Sequence, residues 1–307
     1  MKANQRRARI VVGVWVLAGL MIFGLTAIGG DLEPPGPLAP TMKTLDEVEP
    51  RIPISQADIP KTIDTPGSYY LTCSLTSTSE KAITIDANDV TLDLNGHTLQ
   101  GTDPSANYGI YMNERKNVEI RNGTVRDFDF VAIDALGSDT SDIRVFNVSV
   151  INNNYGIRLW GDITNSGGGH IVKNCTAYEH VNSGIKVGPG SVVTHCTAHQ
   201  NLSGIVAGKG STVAYCSSYK NTGTGIHTDG LSTITNNTCT ENSKGIHTNN
   251  GCTVIANNAC DNQGWGIYLG SNNMVNNNCC YNNNDGDENM NFRSDCTYGT
   301  NHAPLPE

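Results

Sequence analysis

The most reactive side chains in this sequence stand one place after an Ile that recurs along the chain: Tyr111, Asp134, Arg158, Lys186, His227, His247 and Tyr268, with the apolar Val206 among them. If each Ile points inward from a β-strand, the next residue points outward, and the set forms one strip. Arg158 and Lys186 can neutralise an anion, His227 and His247 can exchange a proton near neutral pH, and Tyr268 can assist them. Tyr111, Asp134, Asp229, Trp160 and Trp265 are expected to contact the ligand, the indoles by stacking on sugar rings. A duplicated Gly-Ile-His-Thr at 225–228 and 245–248 places the imidazoles ~5 Å apart if the repeats stack as neighbouring strands. With Asp229 that spacing also suits a metal ion. The competing explanation is a solvated strand face whose duplicated motif records repeat copying alone.

The elements that must position these groups come from a repeat. Gly-Ile pairs recur at 109–110, 156–157, 184–185, 204–205, 225–226, 245–246 and 266–267, with Ile133 filling the first gap. A second apolar column, Ile120, Val145, Val172, Val193, Val213, Ile234, Ile255 and Val275, keeps step with it. Each apolar run is four to six residues long between Asn-, Gly- and Ser-rich turns, too short for helices and suited to strands. One repeat cannot enclose a core, but stacked coils share one, each strand pairing with its equivalent in the next coil. The expected fold is an all-β, right-handed, single-stranded parallel β-helix of about nine coils, its handedness set by the crossover rule.

Composition agrees. The chain has 35 Asn and 33 Gly in 307 residues and only 16% charged residues, a mixture that favours turns over helix. Cys175, Cys196 and Cys216 stand three places after the second column, where later repeats carry Asn237, Asn258 and Asn278. Two places further on, Ala177, Ala198 and Ser218 give way to Cys239, Cys260 and Cys280. Such an exchange of volumes fits a packed interior, with thiols either buried free or bridged between coils, and Cys279 with Cys296 able to close the C-terminal end. Asn201, Asn221, Asn242 and Asn262 fall at a turn, where stacked amides can bond from coil to coil.

Residues 1–30 combine Lys2, Arg6, Arg7 and Arg9 with an apolar run from Ile10 to Ile28, which reads as a signal peptide or an N-terminal membrane anchor. Either exports the remainder to a secreted, periplasmic or cell-surface location. Residues 31–58, with Pro34, Pro35, Pro37, Pro40, Pro50 and Pro53, read as a linker, 59–293 as the β-helix and 294–307 as a tail. From Asp31 onward 16 basic residues face 29 acidic ones, which disfavours nucleic acid as a partner. The short polar tail leaves strand edges open, so self-association is expected. No cofactor is required. The segment Asn283–Asn289 fits at most an exposed calcium site, because an EF-hand alignment on Gly286 puts Tyr281 and Phe292 at ligand positions.

The segment Ile63 to Leu75, Ile83-Thr84-Ile85 and Val90 to Leu99 resemble the opening coils of the pectate-lyase-like right-handed β-helix superfamily, and the Asn-Asn and Gly-Ile rungs resemble its NosD-like members. The resemblance covers about residues 60–292 and implies the fold. It also implies a carbohydrate partner, a polysaccharide or cell-surface glycan, and sites on an outward strip. Arg158 and Lys186 resemble the base and acid of alginate- and chondroitin-lyase-like β-helices in reversed order, with His227 and His247 as the alternative pair. Asp-Pro-His and the polygalacturonase motif set are absent. Two functions follow: an exported β-helix that binds and cleaves an acidic polysaccharide by β-elimination, or a non-catalytic structural or adhesion module.

Overall fold

The structure is a computed structural model that describes residues 51–161, 167–284 and 289–302. The signal peptide or anchor, most of the linker and the acidic residues 285–288 lie outside the described residues. The chain winds as a parallel β-solenoid of two sheets, one of nineteen short strands and one of ten. The recurring Ile, preceded by Gly in seven coils, supplies the ten-stranded sheet, one strand per coil, so the described residues form ten coils, in line with the expected β-helix. The winding starts inside the Pro-rich stretch. Arg51–Ile54 pairs in parallel with Ser68–Leu71, and Ile54 is fully buried. Pro53 is tolerated because a strand at the end of a stack does not need every N–H.

The core is built of columns. Ile83, Ile110, Ile133, Ile157, Ile185, Ile205, Ile226, Ile246 and Ile267 stack in register and are all fully buried. Gly beside Ile lets neighbouring coils close up, since a Cβ on Gly225 would lie 2.7 Å from the Gly245 carbonyl oxygen. The second apolar column differs from expectation at one rung: Ile234 pairs with Val254 and Val254 with Val275, so Val254 is buried and Ile255 is only partly covered. The same shift puts Asn257 in place of Asn258 and Ala259 in place of Cys260. Cys260 consequently faces outward.

Asparagine plays two separate parts. At the corner between the two strands of each coil in the larger sheet, Asn122, Asn147, Asn174, His195, Tyr215, Asn236, Ala256 and Asn277 all adopt φ between 54° and 58°. Asn tolerates this left-handed conformation better than most residues. Inside the turns, buried Asn side chains form ladders. Asn221 donates from its backbone and amide nitrogens to Asn242 Oδ1 at 3.0 and 2.9 Å, Asn242 repeats this on Asn262 and Asn262 on Asn283. A parallel ladder runs through Asn237, Asn257, Asn278 and Asn301, and a third through Ser191, Ser211 and Ser232. His180 stands in the first between Asn153 and Asn201, and His170 heads the third: Asn153 N–H donates to His180 Nδ1, His180 N–H to Asn201 Oδ1 and Ile143 N–H to His170 Nδ1.

Asn301 shows that the tail belongs to the solenoid. Thr297–Tyr298 pairs with Met274–Val275 and His302 with Cys279, so the edge expected to be open after Ser294 is covered there. Two orthodox rungs of hydrogen bonds were hidden in a segment with little apolar content.

Candidate functional site

The ten-stranded sheet presents its strip as expected. Tyr111, Asp134, Arg158, Lys186, Val206, His227, His247 and Tyr268 occupy one outward position in unbroken register. Most strands offer a second outward position three residues earlier, because Gly and Ile both face inward and strict alternation breaks there; in the Asp134 strand that place holds the buried Val131. That second column adds Lys81, Tyr108, Tyr155 and Lys244, none of which alternation alone assigns to the face.

The strip divides into two groups at Val206. In the N-terminal group, Arg158 donates from Nε and Nη2 to the two oxygens of Asp134 at 2.7 and 2.8 Å. The Asp134 side chain is 0% exposed and that of Arg158 16%. The guanidinium lies over the rings of Phe130 and Tyr155, 4.8 and 5.1 Å from their centroids. Tyr108 meets Tyr111 and Phe130 edge to face, and Phe130 meets Tyr155 the same way. Lys81 Nζ caps Tyr111 at 4.0 Å. Asp134 therefore lies beneath an aromatic collar instead of reaching out to a ligand. Burial pushes its carboxyl above the ordinary range against the pull of Arg158, and the bond to Asp134 holds Arg158 charged against its own desolvation. Lys186 sits with Nζ 4.1 Å from the Trp160 ring, its pKa lowered by burial and then by Arg158, with Asp229 opposing.

The C-terminal group gathers the proton-transfer candidates. The His227 and His247 rings are 4.6 Å apart between centroids, and His247 is 5.1 Å from Tyr268, both edge to face. Trp265 packs 6.1 Å from Tyr268, and Lys244 Nζ lies 5.0 Å from the Tyr268 ring. Burial lowers the pKa of His227, Asp229 opposing and Lys244 assisting. Burial, His227 and Lys244 lower that of His247 to about 4. Asp229 accepts from Asn249 Nδ2 at 3.0 Å. Among the described residues no three His, Cys, Asp or Glu side chains converge as metal ligands, so Asp229 does not complete a metal site with the two imidazoles.

The face can thus hold a polyanion between Lys186 and Lys244, stack rings on aromatic edges at both ends, and move protons through two neutral imidazoles and a phenol. A cavity of about 440 Å³ lies elsewhere, at the turns around Gly101, Asp103, Asp127 and Asn152.

Among solved structures, the A-module of mannuronan C-5 epimerase AlgE4 from Azotobacter vinelandii superposes with a TM-score of 0.66 at 13% identity, over 83% of this chain and 86% of that one. The AlgE6 A-module of the same organism gives 0.64 at 13% identity over 84% and 89%. The Dettilon tailspike protein gives 0.56 at 14% identity over 82% and 58%. At such identities the likeness is one of fold. No curated protein matches the sequence. The profile of the family described as "Right handed beta helix region" matches residues 72–216 and 108–260. These overlapping matches span more than half of the chain and coincide with the observed coils, so the protein belongs to the right-handed β-helix family.

Proposed function

We propose that the protein binds an acidic polysaccharide along the outward face of the ten-stranded sheet and removes the C5 proton of a uronate residue there, leading to β-elimination. The observation that carries this reading is the His227–His247 pair, two imidazoles on successive rungs at 4.6 Å, both with lowered pKa and hence neutral at neutral pH. A neutral imidazole is the base that such a proton requires. Lys244, which acts electrostatically on both imidazoles, neutralises the uronate carboxylate and so acidifies C5, and Lys186, three rungs away, meets another carboxylate of the chain. His227 takes the C5 proton, the electron pair forms the C4–C5 double bond, and the bond to the C4 oxygen breaks. Tyr268 protonates that leaving oxygen, with His247 packed between base and acid. Arg158, which is occupied by Asp134, keeps its charge and shapes the collar, so base and acid are assigned to the C-terminal group.

The two mannuronan C-5 epimerases of similar fold support a polyuronate as the ligand class, and the apolar run from Ile10 to Ile28 supports export. The test is incubation with polymannuronate, alginate and pectate, following the ultraviolet absorbance of the unsaturated product and, in heavy water, deuterium at C5. His227→Gln is expected to lower turnover by at least ~100-fold while binding persists. Absence of both binding and turnover across the panel overturns the proposal. The engagement of Arg158 by Asp134 favours a second reading, a glycan-binding module without turnover, for which binding to the panel with no product and no deuterium is the signature.

A further inference from the structure

Cys260 and Cys279 are half buried on the outside of the last coils, and their Sγ atoms are 3.9 Å apart. Cys260 ends the strand Asn258–Cys260, and Cys279 bridges in parallel to Asn258, so the thiols lean toward each other along the diagonal of one rung. The partner expected for Cys279 is engaged elsewhere: Cys296 Sγ accepts from Asn273 N–H and donates to the Gly270 carbonyl. Cys175, Cys196, Cys216, Cys239, Cys252 and Cys280 are at most 3% exposed. Cys239 and Cys280 have the Ala259 rung between them, which puts them ~9.6 Å apart, beyond the reach of a disulfide.

We propose that Cys260 and Cys279 form a cross-linking site, converted by a small disulfide such as oxidised glutathione into a bond that staples the last coils of the rod. This inference is independent of the proposed function. The thiolate of one cysteine attacks a sulfur of the incoming disulfide and displaces one thiol; the second cysteine then attacks the mixed disulfide and displaces the other. Two electrons and two protons leave the protein, and the reagent is reduced to two thiols. Closure requires the sulfurs to approach to ~2.05 Å; because Cys279 stands opposite Asn258, closing the diagonal draws the chain at Cys260 and Cys279 together as well as turning the side chains. Burial and the neighbouring Cys279 and Asp261 push the Cys260 thiol up to about 11, so the exchange is best run at alkaline pH.

The full chain is oxidised with glutathione disulfide, its remaining thiols are alkylated, and non-reduced digests are mapped by mass. The expected product is a peptide pair joined through Cys260 and Cys279, two hydrogens lighter than its parts. It is lost in Cys260→Ser and Cys279→Ser and retained in Cys296→Ser. The exposed Cys73 reports, through its glutathione adduct, that the reagent reached the protein. Adduct at Cys73 with Cys260 and Cys279 both alkylated overturns the proposal, as does a Cys279–Cys296 link. Slower amide exchange in the strand Asn258–Cys260 after oxidation supports the staple, and unchanged exchange refutes it.

Discussion

Acidification should unfold this rod through two histidines that take no part in the proposed site. His170 is 0% exposed and His180 3%, and burial lowers each to a pKa of about 4 from 6.5. In His170, Nδ1 accepts from the Ile143 N–H, which places the ring proton on Nε2; His180 Nδ1 meets both the N–H and, at 3.3 Å, the carbonyl of Asn153. Nε2 has no hydrogen-bond partner in either ring. Protonating Nδ1 of His170 would set donor against donor at the head of a ladder. The unfolded chain takes up the proton first, near pH 6.5, and the folded chain only near 4. Stability from each group is therefore complete above about pH 6.5 and is lost as pH falls to about 4. The interval corresponds to about 3 kcal/mol for each histidine, and two such losses approach the ~5–15 kcal/mol that holds a typical domain folded. The assay is the urea midpoint, followed by circular dichroism from pH 7 to pH 4. His170→Ser and His180→Asn supply the residue types at Ser191 and Asn201 in the next coil, and each should flatten the pH profile by about 3 kcal/mol. If the double variant loses stability with the unaltered slope, the reasoning fails.

Three further outcomes test the packing. Asp134→Ala should cost about 3 kcal/mol by stranding a buried guanidinium, and Asp134→Ala with Arg158→Met should recover part of it; thermal melts of the cycle measure the coupling. Asn242→Ala removes bonds to the Ser218 carbonyl and Asn262 and leaves the Asn221 N–H without its acceptor. It should cost about 3 kcal/mol and speed amide exchange at Asn221 before distant coils respond. Ala256→Asn should stabilise by about 1 kcal/mol in urea titrations, since Ala256 sits at φ 56°, where a residue that tolerates the left-handed region is favoured.

The Gly-Ile column was legible in the sequence because residue type and spacing agree at nearly every rung, and the strip followed from it. Val254 was harder to place than its neighbours: both it and Ile255 are apolar, and the corner that fixes the register carries Ala256 where most of the other coils carry Asn. Lys244, Lys81, Tyr108 and Tyr155 escaped notice because a period of two fails where Gly and Ile both turn inward. The Asp134–Arg158 bond could have been read from opposite charges on successive rungs, but burial of the carboxylate under Phe130 and Tyr155 could not. The tail's contribution to the last coil had only a sparse apolar signature, Cys296 and Tyr298 packing against the core, while Asn301 and His302 pair through amide and backbone bonds.

The rung containing Val206 has a consequence for how such a face can be varied. Because the coils on either side of Val206 repeat its buried Ser and Asn ladder contacts, that coil acts as an interchangeable spacer of about 20 residues and ~4.8 Å of rise. Deleting the coil that bears Val206 would set Lys186 directly beside His227, and duplicating it would move them one step further apart. The distance between the cationic collar and the imidazole pair is thereby quantised, adjustable in whole rungs without redesigning the core.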